Sequence, residues 1–559
     1  MSDPDEPLVP APAASPSGPT SVGSKNLDRT LGSLGRGTAV MMAATVIYVA
    51  FQFLTRVLVT HSVSGTEWGE FNIGFAIANL LALIAAFGIP TAVARSLAFE
   101  ETYEARWHLV RRALLVSVPV GMAASVLVFL GAPELADLFH NPSYAPVFQL
   151  FGISVGFTML SNVLVGIFQG LERAEPNALF VQILNPILFL VFAGGLLVLH
   201  WGFTGVLVGY LLSWVGAFGA LVVYTYRQLP ILLRSLSGHT FTGDATARVS
   251  FASLSITLFG VAALSYLTSY ADTLLLAYLE PSSVAAVVTG QYSSAMQLTR
   301  LLLVGTGTVT FIYLPVTARL RRQRDFASLR ETYVTVTRWM AFLTVPFTFV
   351  FVFAPGLTLG FTFGPSQVGG ADALRILVAA NTVAILLGPS TSTLGGLGET
   401  RSVLRWTAVS TVCNFALCFA LIPSYGMIGA AVAWSVARLV FPALCLAQIF
   451  LQHGVTPFRS HFNRPIAVTA VACAALFYVA FSHARILEIP LMVVIPPLVF
   501  ALAILLTRSV DRGDIFVARA AERRFAVVRP LRRILERRAA PGLLDGGDWL
   551  TGGTSRGAP

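Results

Sequence analysis

The sequence predicts an all-α, polytopic membrane protein with fourteen transmembrane helices, arranged as two six-helix lobes followed by two C-terminal helices. Fourteen mostly apolar stretches lie between residues 38 and 507, and a helix needs about 20 apolar residues to cross the hydrocarbon core of a bilayer. Charged residues make up 11% of the chain and hydrophobic residues 55%, whereas soluble domains carry about 25% charged residues. Motifs of the first half also recur in the second half.

Each stretch is taken as a helix because lipid offers the backbone no hydrogen-bond partners. The predicted spans cover residues 38–60, 71–94, 109–131, 147–170, 177–199, 203–226, 250–279, 285–314, 335–354, 371–395, 403–422, 427–451, 465–482 and 486–507. Residues 1–35 precede them, and the Pro-, Ser-, Ala- and Gly-rich composition at their start predicts a disordered tail.

Arginines lie almost entirely in every second connection between these spans, and Arg375 and Arg485 are the exceptions. The positive-inside rule then places both termini in the cytoplasm of a multi-pass plasma-membrane protein. Residues 508–559 form a separate basic element, with ten arginines between Arg508 and Arg538. They predict an amphipathic cytoplasmic tail on anionic lipid headgroups, with a solvated charged tail as the alternative. Nucleic acid is not an expected partner, because the arginines lie between hydrophobic segments.

An internal repeat supports two lobes. Residues 170–173 resemble residues 396–399, residues 202–205 resemble residues 426–429, and the offset stays between about 220 and 230 residues. Six spans therefore form one repeat, and parallel repeats are a transporter architecture with the substrate path between the lobes. The predicted units are residues 36–230, residues 245–452, and the helices of 464–507.

Charged groups inside the spans are the candidate functional residues. A charge in the middle of the bilayer costs about 2.5–3.5 kcal/mol on insertion scales, so such side chains normally face a cavity or a partner. The candidate residues share one face of a helix, as their spacing indicates, or lie close to the end of a span. The candidate substrate-binding set is Arg56, Arg300, Arg438, Arg95, Gln52 and Gln297, and Asp272 is a candidate ion-coupling or salt-bridge residue.

The excess of arginine over aspartate predicts a cationic lumen for an anionic substrate, because guanidinium groups bind phosphate oxygens bidentately. The alternative is a structural salt bridge between Asp272 and Arg56 or Arg300. The sequence contains no phosphate-binding Gly loop, metal-ligand spacing or nucleophile elbow. We therefore expect a transporter rather than an enzyme, without cofactor or metal.

Several segments resemble oligosaccharide flippases, the polysaccharide-transporter branch of the multidrug/oligosaccharidyl-lipid/polysaccharide exporter superfamily. These segments are residues 55–58 with 67–71, residues 87–95, and residues 271–276 with 290–292. The resemblance implies a two-lobed, fourteen-helix fold that flips a polyprenyl- or dolichyl-phosphate-linked oligosaccharide to the outer leaflet by alternating access, for surface polysaccharide or glycoprotein assembly. It also implies a need for the charged lumen residues, above all Arg56, Asp272 and Arg300.

Two other functions fit the same pattern less well. A cation-coupled exporter of drug-like molecules needs intramembrane carboxylates, and Asp272 is the clearest one. A non-transporting scaffold that recruits glycan enzymes does not need the arginines. Glycosyltransferases or a polymerase are the protein partners that a flippase would have.

Overall fold

The computed structural model describes residues 47–100, 102–235, 251–456 and 489–507, together with single positions between 464 and 477. The predicted tails 1–35 and 508–559, and most of the predicted span 465–482, lie outside the described residues. The described part is helical and contains no strand. The predicted all-α fold class is confirmed.

The described residues of the first half, 47–235 without residue 101, form eight helices and a π-helical stretch. Residues 47–62 form α1, and Asn177–Leu184 is a π-helix that leads directly into α7. The others are α2 Gly65–Ala86, α3 Ile89–Phe99, α4 Tyr103–Leu130, α5 Ala132–Leu138, α6 Ala145–Gly170, α7 Asn185–Val198 and α8 Gly202–Ser235.

Seven helices lie within residues 251–456, and one more is described at 489–506. These are α9 Phe251–Leu279, α10 Ser282–Arg322, α11 Phe326–Phe353, α12 Pro355–Phe363, α13 Ala371–Leu386, α14 Ser390–Gly396, α15 Thr400–His453 and α16 Ile489–Leu506. A non-helical backbone at Gly426 divides α15 into two parts that correspond to two predicted spans. Among the described residues, seven helices are long and apolar enough to cross a membrane, or eight if the bent α11 is counted as one span. The total of fourteen stays a prediction.

The second predicted span, 71–94, is wrong at both ends. Helix α2 begins at Gly65 because Ser64 and Glu67 form a capping box: the Ser64 side chain accepts from the Glu67 backbone, and the Glu67 side chain accepts from the Ser64 backbone. The helix ends at Ala86, where Phe87 and Gly88 adopt positive φ angles of 41° and 72°. Hydropathy detects the apolar stretch, whereas capping bonds and left-handed residues decide where a helix stops.

The repeated motifs fold alike. The Gly170 motif and the Gly396 motif each end a helix with a positive-φ residue in the third position, Glu172 at 59° and Gly398 at 80°. Gly202 and Gly426 begin the second pair of motifs with φ angles of 55° and 54°. A short helix followed by a 3₁₀ turn also occurs in both halves, at 132–144 and 355–370. The sequence repeat therefore corresponds to a repeat of backbone geometry.

The two halves approach most closely where α2 crosses α10. A Cβ atom added at Gly69 would lie 1.7 Å from the Ala286 carbonyl oxygen, and one at Gly290 would lie 3.0 Å from the Gly69 nitrogen. Only a residue without a side chain allows backbones to come this close. The indole Nε1 of Trp68 donates to Ser294 Oγ at 2.9 Å, and Ser294 Oγ donates to Gln367 Oε1 at 3.2 Å. We call this region the Gly65 end of the interface.

The opposite end of the interface contains an aromatic contact. The ring of Phe87 stacks on the ring of Phe259 with centroids 5.0 Å apart, and this contact joins the α2–α3 break to α9. Phe87 remains 47% exposed. We call this region the Phe87 end; the side chains that the structure describes there form no buried hydrogen-bond chain like that of Trp68 and Ser294 at the Gly65 end.

The close approach at Gly69 predicts the effect of adding one methyl group. Gly69→Ala should lower the thermal stability of the purified protein, because overpacking costs about 1–3 kcal/mol. Gly195→Ala is the matched control, since a Cβ there meets nothing within 4 Å and alanine favours the helix. Thermal unfolding in detergent measures both variants. An unchanged melting temperature in Gly69→Ala would contradict the close crossing of α2 and α10.

Candidate substrate-binding cleft

A polar cleft lies between the two halves of the chain. Helices α1 and α2 form one wall and helices α9 and α10 form the other. The lining residues combine two cations, several neutral polar groups and a few apolar side chains: Arg56, Asn72, Phe75, Tyr270, Thr273, Ser293, Met296, Gln297 and Arg300. Because each half supplies one arginine, a single ligand can contact both halves at once.

Arg56 belongs to α1 and is 9% exposed. Its Nη1 donates a long hydrogen bond of 3.5 Å to Asn72 Oδ1. Its guanidinium carbon lies 5.5 Å from the centroid of the Phe75 ring and 6.0 Å from that of the Trp68 ring. Aromatic faces attract cations electrostatically, so the partners of Arg56 are an amide and two rings.

Arg300 belongs to α10 and has a similar environment. Its Nη2 donates to the Ser269 carbonyl oxygen at 3.1 Å, and its Nη1 lies 3.5 Å from the Tyr270 hydroxyl. The guanidinium carbon is 4.9 Å from the centroid of the Tyr270 ring. The second cation of the cleft is therefore also held by neutral groups and an aromatic face.

The charges of the cleft are not balanced by the residues that line it. None of the described lining residues is a carboxylate. The ion pairs recorded within the described ranges, Arg173 with Glu175 and Arg375 with Asp372, involve neither Arg56 nor Arg300. Neither arginine therefore makes a direct ion pair among the described residues. Partly buried cations favour an anion, because removing a charge from water costs several kcal/mol unless a partner compensates it.

Asp272 lies outside the lining of this cleft. Its side chain is fully buried and accepts a hydrogen bond from the Tyr292 hydroxyl through Oδ2. The other carboxylate oxygen, Oδ1, is buried without a hydrogen-bond partner in the described structure. Tyr292 belongs to the hydrophobic core of the second half. The carboxylate thus makes its recorded hydrogen bond inside that half, while its charge still acts on Arg300 through space.

The remaining predicted residues do not converge on the cleft, with one exception. Gln297 lines it. Arg438 donates through Nε to Asn381 Oδ1 at 3.0 Å, inside the second half. Gln52 lies 3.5 Å from the Tyr48 hydroxyl on its own helix. Arg95 is exposed near the end of α3.

Asn72, Phe75 and Tyr270 line the cleft and were missed by the sequence analysis. An aromatic residue in an apolar span is usually a packing residue, so Phe75 and Tyr270 carry no local signal. Only the contact between α2 and α9 reveals their position beside the arginines. Among the described residues, no group of three or more His, Cys, Asp or Glu side chains comes together as a metal site.

A known protein family matches much of the chain. Residues 34–321, slightly more than half of the chain, match the family described as polysaccharide biosynthesis protein. No curated protein sequence matches the chain.

Solved structures of transporters share the fold. The lipid II flippase MurJ in an inward closed conformation is 14% identical, with a TM-score of 0.66, and the match covers 83% of this chain and 97% of that one. A multidrug resistance MATE family transporter of the MOP superfamily, in an inward-facing conformation, is 15% identical, with a TM-score of 0.57 and coverage of 74% and 98%. A MOP superfamily transporter from Pyrococcus furiosus is 17% identical, with a TM-score of 0.53 and coverage of 75% and 95%. These solved structures show the same fold as this chain, and the family match agrees with the polysaccharide-transporter resemblance of the sequence motifs.

The separation of Arg438 from the cleft predicts a difference between the arginines. Arg438→Gln should lower the melting temperature, since it weakens the buried contact with Asn381. It should leave the affinity of the purified protein for an anion within about twofold of wild type, because the lost interaction lies outside the cleft. Titration with inorganic pyrophosphate checks this. Loss of binding in Arg438→Gln with normal stability would place Arg438 in the binding site.

Proposed function

The chain belongs to the polysaccharide biosynthesis protein family, and we propose from this premise that it moves a lipid-linked oligosaccharide across the membrane. The substrate is a polyprenyl- or dolichyl-phosphate-linked oligosaccharide, carried from the cytoplasmic to the outer leaflet. Its headgroup enters the cleft while the prenyl chain stays in lipid. The product serves the assembly of surface polysaccharide or glycoprotein, so glycosyltransferases or a polymerase are the proteins that act before and after it.

The observation that carries this proposal is the pair Arg56 and Arg300, one from each half, in a cleft whose described lining contains no carboxylate. Guanidinium groups stay protonated and match phosphate oxygens with two parallel donors. A phosphate between them offsets their mutual repulsion and links the two halves. Asn72, Ser293 and Gln297 supply neutral donors and acceptors for sugar hydroxyl groups.

Alternating access fits the unequal closure of the interface. With both termini in the cytoplasm, the Gly65 end faces outward and the Phe87 end faces inward. Backbone contact at Gly69 and the Trp68–Ser294 hydrogen bond hold the outer end shut. The inner end is joined by the Phe87–Phe259 ring contact, which a small rotation of the halves separates. The conformation therefore suits a transporter that accepts its substrate from the cytoplasmic side.

Asp272 is the proposed coupling residue. Its carboxylate is fully buried, and one oxygen has no hydrogen-bond partner among the described residues. A bound proton or cation compensates such a group, because an isolated buried charge is costly. Binding and release of that ion at different stages of the cycle would link an ion gradient to the motion of the second half.

A cation-coupled small-molecule exporter is the second candidate. The similarity in fold to a MATE family transporter and the buried carboxylate of Asp272 favour it. The charge of the cleft opposes it, since two arginines repel cationic drugs. Sensitivity of a deletion strain to a panel of toxic compounds, compared with the amount of surface glycan, separates the two functions.

Removing either cleft arginine should abolish most transport. Arg56→Gln and Arg300→Gln should each lower transport about 10- to 100-fold, because hydrogen bonds to charged groups contribute about 1.5–3 kcal/mol. Arg→Lys at each position should give intermediate activity, since charge is kept and the bidentate fork is lost. Complementation of a deletion strain measures surface glycan and the lipid-linked precursor on the inner leaflet.

Arg375→Gln is the matched control for these variants. Arg375 pairs with Asp372 at 2.6 Å on an exposed surface, and exposed ion pairs contribute about 0–1 kcal/mol. Its transport should equal that of wild type. Normal glycan and precursor levels in both Arg56→Gln and Arg300→Gln would reject the proposed function.

Asp272→Asn should separate coupling from binding. The change preserves side-chain size and removes the ionisable group. Uptake of the substrate into proteoliposomes should therefore no longer respond to an imposed proton or sodium gradient, whereas pyrophosphate binding should stay within about threefold, because the carboxylate lies outside the cleft. Gradient-dependent transport that persists in Asp272→Asn would exclude the coupling role.

A further inference from the structure

We propose that Phe75 and Tyr270 are positioning residues that hold Arg56 and Arg300 ready to bind an anion. Carboxylates usually hold buried arginines in position, and here the two aromatic rings take that role. The inference rests on the proposed function, because it concerns the same cleft. The two aromatic rings are the feature that stabilises both cations of the cleft when no anion is bound.

Each ring contacts the arginine of its own half. The Phe75 ring, on α2, lies 5.5 Å from the guanidinium carbon of Arg56. The Tyr270 ring, on α9, lies 4.9 Å from that of Arg300. The two rings also approach each other across the interface, with centroids 6.5 Å apart. The two rings therefore contact each other as well as the two arginines.

Aromatic faces and carboxylates differ in which part of a guanidinium they occupy. A carboxylate accepts hydrogen bonds from the in-plane N–H groups, which are the same donors that a phosphate needs. A ring interacts with the positive charge through its π face and accepts no strong hydrogen bond. The Phe75 ring can therefore stabilise Arg56 without competing with an incoming anion for the donors. Tyr270 takes one donor of Arg300 through its hydroxyl group, but that contact is long, at 3.5 Å, and an anion can displace it.

Other aromatic rings fix these two in place. Tyr266 stacks on Tyr270 with centroids 4.7 Å apart and donates its hydroxyl proton to the Ala76 carbonyl oxygen across the interface. Tyr210 meets the Phe75 ring at 6.1 Å. Because close-packed rings have few alternative rotamers, the arginines that rest on them lose less conformational freedom when an anion binds.

The test is anion binding by the purified full-length chain in detergent. One arm uses inorganic pyrophosphate and the other uses geranylgeranyl diphosphate, which distinguishes a free phosphate from a lipid headgroup. Phe75→Leu and Tyr270→Leu should each raise the dissociation constant about 3- to 30-fold, the range that a partly desolvated cation–π contact supports. Phe75→Tyr and Tyr270→Phe keep the ring and should stay within about twofold.

Phe349→Leu is the control for loss of a ring elsewhere. Phe349 packs against Phe353 and Phe477 in the second half and does not line the cleft. A purely structural role of Phe75 or Tyr270 would lower the melting temperature and the number of binding sites without changing the affinity of the sites that remain. If a leucine variant does not purify as a single species, Phe75→Met or Tyr270→Met replaces it.

The outcomes separate the two proposals. Wild-type affinity in Phe75→Leu and Tyr270→Leu, with weakened binding in Arg56→Gln and Arg300→Gln, overturns the positioning role and leaves the proposed function intact. Wild-type affinity in the arginine variants overturns the proposed function itself. Failure of the wild-type chain to bind either probe contradicts both. Weaker binding in the leucine variants, rescued by the aromatic substitutions, supports the inference.

Discussion

Two guanidinium groups that face one cleft without a carboxylate among its described lining set the main constraint on this molecule. Like charges in a region of reduced dielectric repel each other more strongly than in water. The chain offsets this cost with aromatic faces, backbone carbonyl groups and an amide. None of these partners carries a negative charge. The same arrangement in a soluble pocket would be weaker, because water would screen both cations.

The packing at the Gly65 end makes this constraint effective. Direct backbone contact at Gly69 and the buried Trp68–Ser294 hydrogen bond leave little space between the halves. The backbones of α2 and α10 are therefore in direct contact at this end. At the Phe87 end the chain breaks between α2 and α3, where Phe87 and Gly88 have positive φ angles.

The geometry of helix α9 places the carboxylate of Asp272 on a different face from the ring of Tyr270. Tyr270 and Asp272 are two residues apart on α9, and two residues of an α-helix turn through about 200°. Tyr270 therefore faces the cleft, and Asp272 faces Tyr292 in the core of the second half. If Asp272 occupied the face of Tyr270, it would pair with Arg300 and compete with an anion for its donors. The hydrogen bond of Asp272 and the ring of Tyr270 therefore lie on different faces of α9.

The sequence by itself determined the class of fold, the internal repeat and the presence of arginines inside apolar spans. These features are local: hydropathy, motif spacing and the cost of a charge in lipid are all readable along the chain. It also placed Arg56, Arg300 and Gln297 among the candidate residues. Helical spacing shows which residues share a face, but it does not show which faces meet. Only the tertiary structure grouped Arg56 with Arg300, turned Asp272 and Arg438 away from them, and put Phe75 and Tyr270 beside the cations, because the contacts between helices depend on packing between segments far apart in sequence.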